Sequence, residues 1–462
     1  MPKDVFASVI IKTKCHRCLS AAGTAFLIML WAGCGDIYRP VATPVTPNPP
    51  NPNFAHYVVM VSDNGPNYAG ATTRIDTSGD TNVGVVQTGL SPVHGALLPD
   101  STRIYIANSG DDTITAYLPT ISTSVTTITL PVGSVPAFVH TTENSNVYVA
   151  ESGSNAVSVI NAFENVIADQ IGVGVSPVAL AETPNGLKLY VANQGTNGTG
   201  GSVNSINTID RTLNPPLPGA WISPVWAVAR SDSQRIYVLD TGSGNVSAID
   251  TASDAVVGSV PVGAGGNFLL YDPSLNRLYV TNPAAQSMNI LDASTDALTV
   301  LATFSFAAGS IPCPAGCTPV SVAALPDGTR AYVATYANST CSGAPCIVSK
   351  VTVIQTLTNS ISSKIALGSA TVDQTNPTGC STARFRLSAV ASADSSRVYV
   401  AECDSGDVGI VATVANSSPG DKYGADTLIV NVPAPLSTFP IPASTPGAAP
   451  PPQNPVFILA SP

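Results

Sequence analysis

Charge is scarce in this sequence. Only 10% of its 462 residues are Asp, Glu, Lys or Arg, aromatic residues make up 6%, and there are four His. The 19 Lys and Arg are outnumbered by 29 Asp and Glu, for a formal net charge of −10. Without clustered cations, nucleic acid is excluded as an expected partner, and so is direct electrostatic binding to an anionic membrane surface. Amphipathic helices need a regular supply of charged positions, and no segment beyond the N-terminal region carries a helical period. Catalytic signatures are missing too. There is no His-Glu-x-x-His helix, no Gly-x-Ser-x-Gly elbow, no phosphate-cradling Gly-rich turn opening a helix and no complete calcium loop. The expectation is a chain without catalytic residues, metal or cofactor. What is abundant is apolar residues at 44%, with 37 Gly and 39 Pro. That mixture suits many short buried strands joined by tight turns.

The N-terminus has its own plan. Lys3, Lys12, Lys14 and Arg17 precede an apolar run from Ala21 to Leu30, and small residues then lead to Cys34. This is the three-part layout of a secretory signal, with an apolar run too short to span a membrane. The segment Leu30-Trp31-Ala32-Gly33-Cys34 resembles the lipobox of bacterial lipoproteins, the match being carried by Ala32, Gly33 and Cys34. The resemblance implies removal of residues 1–33 and a lipid on Cys34. Residues 34–54 include a stretch from Pro40 to Asn53 rich in Pro, Thr and Asn, which reads as an extended tether. The expected location is the bacterial cell envelope, with the chain facing the periplasm or the outer surface and meeting the membrane through that lipid.

Residues 55–462 are dominated by a repeat. Its unit is clearest at Ser176-Pro177-Val178-Ala179-Leu180-Ala181, a turn at Pro184-Asn185-Gly186, and Leu189-Tyr190-Val191-Ala192-Asn193. The Tyr recurs as Tyr105, Tyr148, Tyr190, Tyr237, Tyr279, Tyr332 and Tyr399, about 42 to 47 residues apart over the first five, the length of a four-stranded propeller blade. A third strand such as Ala156-Val157-Ser158-Val159-Ile160 and a fourth such as Ala255 to Val260 complete each unit. These units resemble the YVTN β-propeller repeat, which implies an all-β propeller of antiparallel four-stranded blades. The family includes sugar-acid lactonase relatives and surface-layer proteins, so the resemblance implies architecture rather than chemistry.

The two ends set the blade count. Residues 56–86 supply three strands with no inner one, and residues 454–462 read like the inner strand at Ser91 to Pro99. Pairing them closes the ring and removes exposed strand edges. Eight blades follow, with seven as the alternative if the split blade or residues 360–380 form no full sheet. The Pro-rich segment 432–455 is expected to cross over to the closing strand, and the ring is expected to be monomeric.

Six Cys lie in the repeat region: Cys313, Cys317, Cys341, Cys346, Cys380 and Cys403. An even number in an exported chain implies disulfides, with 15 pairings possible. Proximity favours Cys313 with Cys317, Cys341 with Cys346 and Cys380 with Cys403. All six fall in connections that emerge on one face of a propeller. His94 and His140 lie in inner strands of successive blades and are candidates for a channel site, although Phe and Trp at equivalent places point to packing. The functional expectation is a non-enzymatic module that binds a protein or glycan through its stapled face. The alternative is a periplasmic enzyme, or enzyme subunit, of the lactonase or dehydrogenase-associated propeller type.

Overall fold

Each repeat folds into an antiparallel sheet of four strands, and the computed structural model sets eight such sheets in a ring. The structure describes residues 56–461 apart from 66–67, 120, 143–145, 372–379, 381–383, 417–421 and 435–453. The signal segment, the tether with Cys34 and most of the Pro-rich crossover lie outside the described residues.

Blade 5 is typical, with strands Pro224–Ala229, Arg235–Asp240, Asn245–Asp250 and Ala255–Pro261 running from the channel outward. Its second strand is buried at every position, whereas the outermost strand is largely exposed. Second and third strands are covered on both faces by neighbouring blades, so they carry near-continuous apolar runs instead of alternating ones. The seven recurring Tyr are all among the most buried large side chains.

In most blades the Tyr hydroxyl latches to the next blade, while Tyr279 of blade 6 donates within its own blade, to Asp272. Tyr190 donates to Asp254 at 2.5 Å, Tyr332 to Asp426 at 2.6 Å, Tyr105 to Asn165 at 3.0 Å and Tyr399 to Asp80 at 3.3 Å. These Asp and Asn occupy the left-handed position of outer turns, with φ of 51–56°, which short polar side chains tolerate. The cation two residues before the Tyr joins the same turn: Lys188 pairs with Asp254, Arg330 with Asp426 and Arg397 with Asp80. Blade 3 lacks this latch. Asn146 stands at the cation position and Arg211 at the turn position, and the buried Tyr148 hydroxyl makes no bond to the next blade.

Blade 1 is split between the termini. Strands Tyr57–Asp63, Ala69–Asp76 and Thr81–Leu90 are completed by Asn454–Ala460, with Val58 opposite Ala460 and Val61 opposite Phe457. The ring therefore has eight blades, not seven. Blade 7 differs in length. Arg330–Cys341, Ala344–Gln355 and Ser360–Thr371 are each 12 residues long, so the insertion around Cys341 continues the ladder as a hairpin instead of forming a loop. Pairing on both sides of the middle strand satisfies its backbone groups, which makes the extension self-supporting.

Candidate binding cup at the channel mouth

Inner strands all start at one face of the ring, and second strands end there. That face carries the six Cys, joined as Cys313–Cys317, Cys341–Cys346 and Cys380–Cys403. The first closes a short loop before blade 7, the second the tip of its long hairpin. The third spans 23 residues and ties the connection into blade 8 to that blade's second strand.

From this last staple the chain enters Arg384-Phe385-Arg386, and each residue is fixed differently. Arg386 forms a bidentate pair with Asp404 at 2.5 and 2.7 Å. Phe385 is 1% exposed and sits in the channel. Ahead of both, Arg384 swings across the mouth, its Nη1 donating to the Val178 carbonyl at 2.7 Å and its Nη2 to the Val225 carbonyl at 2.6 Å. Its guanidinium carbon lies 4.6 Å from the Trp226 ring centroid, a cation–π contact. Burial lowers its pKa to about 10, which leaves it cationic at neutral pH. Among the described residues no carboxylate pairs with it.

The space above is a cup of about 460 Å³. Val93, Val135, Pro136, Ala137, Val178 and Val225 give it apolar walls, and Ser109, Gln194, Thr241 and Asn267 add neutral polar groups. Arg384 is the one charged residue of the lining. Concave, mostly apolar and with few convergent polar groups, the cup has the character of a ligand site and falls in the lower half of the usual size range.

Its floor is aromatic. Phe457, His94, Phe138, Trp226, Phe268 and Phe385 meet ring to ring across the channel, with centroid separations from 3.9 to 6.2 Å. Edge-on and offset contacts of this kind add to plain burial. His94 is one layer of this plug. Its ring stacks on Phe138 at 3.9 Å, its Nδ1 accepts from the Val139 amide at 3.4 Å, and burial holds its pKa well below the usual range. His140 does not join it in a site. It faces Glu182, with Nε2 to Oε2 at 4.0 Å, where burial lowers the imidazole to about 4 and raises the carboxyl to about 7. Among the described residues no group of three His, Cys, Asp or Glu is placed to hold a metal.

Two adjacent acids in the turn after the second strand of blade 2, Asp111 and Asp112, brace its neighbours. Asp111 accepts from the Leu90 amide and Asp112 from those of Gly133 and Val135, pinning the neighbouring connections. Glu402 is held differently. Its counterpart in blade 3, Glu151, accepts from Ser154, Ser158 and Gln170. In blade 8 the register puts Gly409 where Ser158 stands and Asn431 where Gln170 stands. The hydroxyl is gone, and the Asn431 amide donates instead to the Leu367 carbonyl. Both Glu402 oxygens and the Asn431 carbonyl oxygen are left buried without partners. Burial first, then nearby Asp407, raises the Glu402 pKa to about 8, with the Ser349 hydroxyl of blade 7 acting in the opposite sense.

Sequence reading pointed to the stapled face but missed Arg384 and Glu402. Each had a signal: Arg384 is a cation just ahead of the inner strand Leu387–Ala391, where Leu90, Ser134, Val175 and Ile222 precede the inner strands of blades 2 to 5, and Gly409 interrupts the third-strand pattern.

No family model matches the chain, and no curated protein matches it. Solved structures do match. The β-propeller domain of Cps50 (Swd1) from Myceliophteria thermophila is 10% identical, with 70% of this chain and 97% of that one covered at a TM-score of 0.50. Hydrazine synthase from Kuenenia stuttgartiensis is 16% identical, with 66% and 88% covered at a TM-score of 0.49. At these identities the Cps50 likeness speaks to the propeller fold alone.

Proposed function

We propose that this chain is an exported, non-enzymatic binding module, tethered by a lipid on Cys34, that takes a protein or glycan group into the cup at its stapled channel mouth. The observation that carries the reading is the cup itself, where Arg384, four residues after Cys380 of the Cys380–Cys403 disulfide, sets one cation over neutral walls. A staple lowers the ordering cost of a binding loop, and a rigid scaffold with elaborated loops is a common way to build a recognition surface. The three disulfides fit an oxidising, exported setting. No helix among the described residues is long and apolar enough to cross a membrane, so attachment rests on the N-terminal segment in this reading.

The test is capture from a glycan array and from envelope proteins, using wild type and Ala137→Phe, which fills the cup. Binding that survives the filled cup, in a variant melting like wild type, counts against the site. For the anchor, Cys34→Ser should release the protein from membranes, and continued attachment would assign anchoring to the signal segment.

One observation favours an enzyme. The raised Glu182 carboxyl beside His140 suits proton transfer near neutral pH. An activity lost in Glu182→Gln but kept in Ala137→Phe would replace the binding reading.

A further inference from the structure

We propose that the cup selects a carboxylate on a hydroxyl-bearing ligand, an acidic sugar either free or at the end of a glycan. This rests on the reading of the cup as the binding site and adds the chemical class.

The first ground is charge. Five arginines of the ring pair with acids, Arg230 with Asp232, Arg235 with Asp250 and Asp296, Arg330 with Asp426, Arg386 with Asp404 and Arg397 with Asp80, whereas Arg103 and Arg277 donate to carbonyl and Asn oxygens of outer turns, away from the channel mouth. Arg384 faces only two carbonyls and aromatic rings among the described residues. A guanidinium has five N–H donors in a planar fork, so three beyond those two bonds remain for a ligand. That fork matches a carboxylate in bidentate geometry, and an apolar surrounding strengthens the pair. With one cation in the lining, the complement is a monoanion rather than a phosphate dianion.

The second ground is the remaining polar lining. Asn267 is committed, donating to the Val320 carbonyl and accepting from Thr281, and Ser109 donates to the Ser91 carbonyl. Gln194 and Thr241 line the cup and are half-buried. An amide and a hydroxyl suit the donor and acceptor character of sugar hydroxyls.

The experiment is calorimetric titration of the full protein with sodium D-glucuronate, an oligogalacturonide, D-glucose, and one short peptide with its C-terminus free or amidated. Wild type, Arg384→Lys, Arg384→Met and Ala137→Phe are compared at two salt concentrations. The uronates should bind at least 10-fold more tightly than glucose. Arg384→Met should abolish that preference, Arg384→Lys should keep part of it, and higher salt should weaken it. Glucuronate alone indicates a free acid as the natural ligand, and a stronger oligogalacturonide signal indicates a chain end. Equal binding of glucose, uronate binding unchanged in Arg384→Met, no uronate binding, or preference for the free peptide terminus would each overturn the proposal. Neutral ligands lost in Ala137→Phe but indifferent to Arg384 would leave the cup standing and remove only the carboxylate. Uronate binding indifferent to Ala137→Phe would remove the cup as well. Melting temperatures within a few degrees of wild type show that the variants fold.

Discussion

Replacing Glu402 by Gln should stabilise the protein, and by an amount that grows with pH. The carboxyl is 1% exposed and lacks the hydroxyl that Ser158 supplies in blade 3, because Gly409 stands in that place; the Ser349 hydroxyl of blade 7 offsets only part of the cost of burial. The Glu402 pKa rises from 4.5 to about 8 on folding. Between those values the unfolded chain releases the proton while the folded chain keeps it, so the Glu402 contribution to stability, complete below pH 4.5, is lost as pH rises towards 8. At about 1.36 kcal/mol per unit the ceiling is about 5 kcal/mol, and relaxation around a buried charge leaves about 1–4 kcal/mol. Denaturant unfolding of wild type and Glu402→Gln at pH 5, 6, 7 and 8 should give nearly equal stabilities at pH 5 and curves that diverge above it. The difference between the curves isolates Glu402 from Asp407 and Glu182, whose pKa values are also raised by burial. Gly409→Ser should flatten the wild-type curve in the same sense, since it restores the donor; its Cβ would lie 3.0 Å from Glu402 Oε1, 3.1 Å from Leu367 Cδ2 and 3.3 Å from Asn431 Oδ1, all ends of side chains that must shift by a few tenths of an ångström. Parallel curves for wild type and Glu402→Gln would refute the reasoning.

Deleting residues 454–462 should cost several kcal/mol, because Ile458 and Leu459, 3% and 9% exposed, each forfeit about 1.5–3 kcal/mol of burial, and Phe457 loses its contact with His94; an unchanged melting temperature would contradict the closure of blade 1. Replacing both Cys380 and Cys403 by Ser should lower stability by about 2–4 kcal/mol and weaken cup binding in parallel, as read by calorimetry, if the staple positions Arg384. A double-mutant cycle on Arg330 and Asp426, scored by denaturant unfolding, should show a coupling of about 0.5–3 kcal/mol, since both side chains are about 85% buried in the latch.

The ring was legible because it repeats. Tyr190 or Tyr332 alone says little, but seven copies, the first five at blade spacing, with three strands at one end and the missing inner strand at the other, leave few other folds. The inter-blade latch was partly hidden, since Lys188 and Asp254 are far apart in sequence and only the ring brings them together. The cup was harder to read for the same reason. Arg384 gains its meaning from carbonyls of blades 4 and 5, which no local pattern around Arg384 encodes. The His94 and His140 pairing looked plausible from their offsets in successive inner strands, yet a difference of two residues sends one into the aromatic plug and the other towards Glu182. The extended hairpin of blade 7 has no local signature, because Asn338-Ser339-Thr340 has the composition of a loop and is held in the ladder by Ile347, Cys346 and Pro345 opposite.

The most direct test of the account is a crystal structure of the protein grown with D-glucuronate. The account predicts the sugar in the cup, its carboxylate on the Arg384 guanidinium and its hydroxyls towards Gln194 and Thr241. Sugar bound elsewhere on the ring, or an empty cup beside a ligand that calorimetry shows to bind, would contradict it.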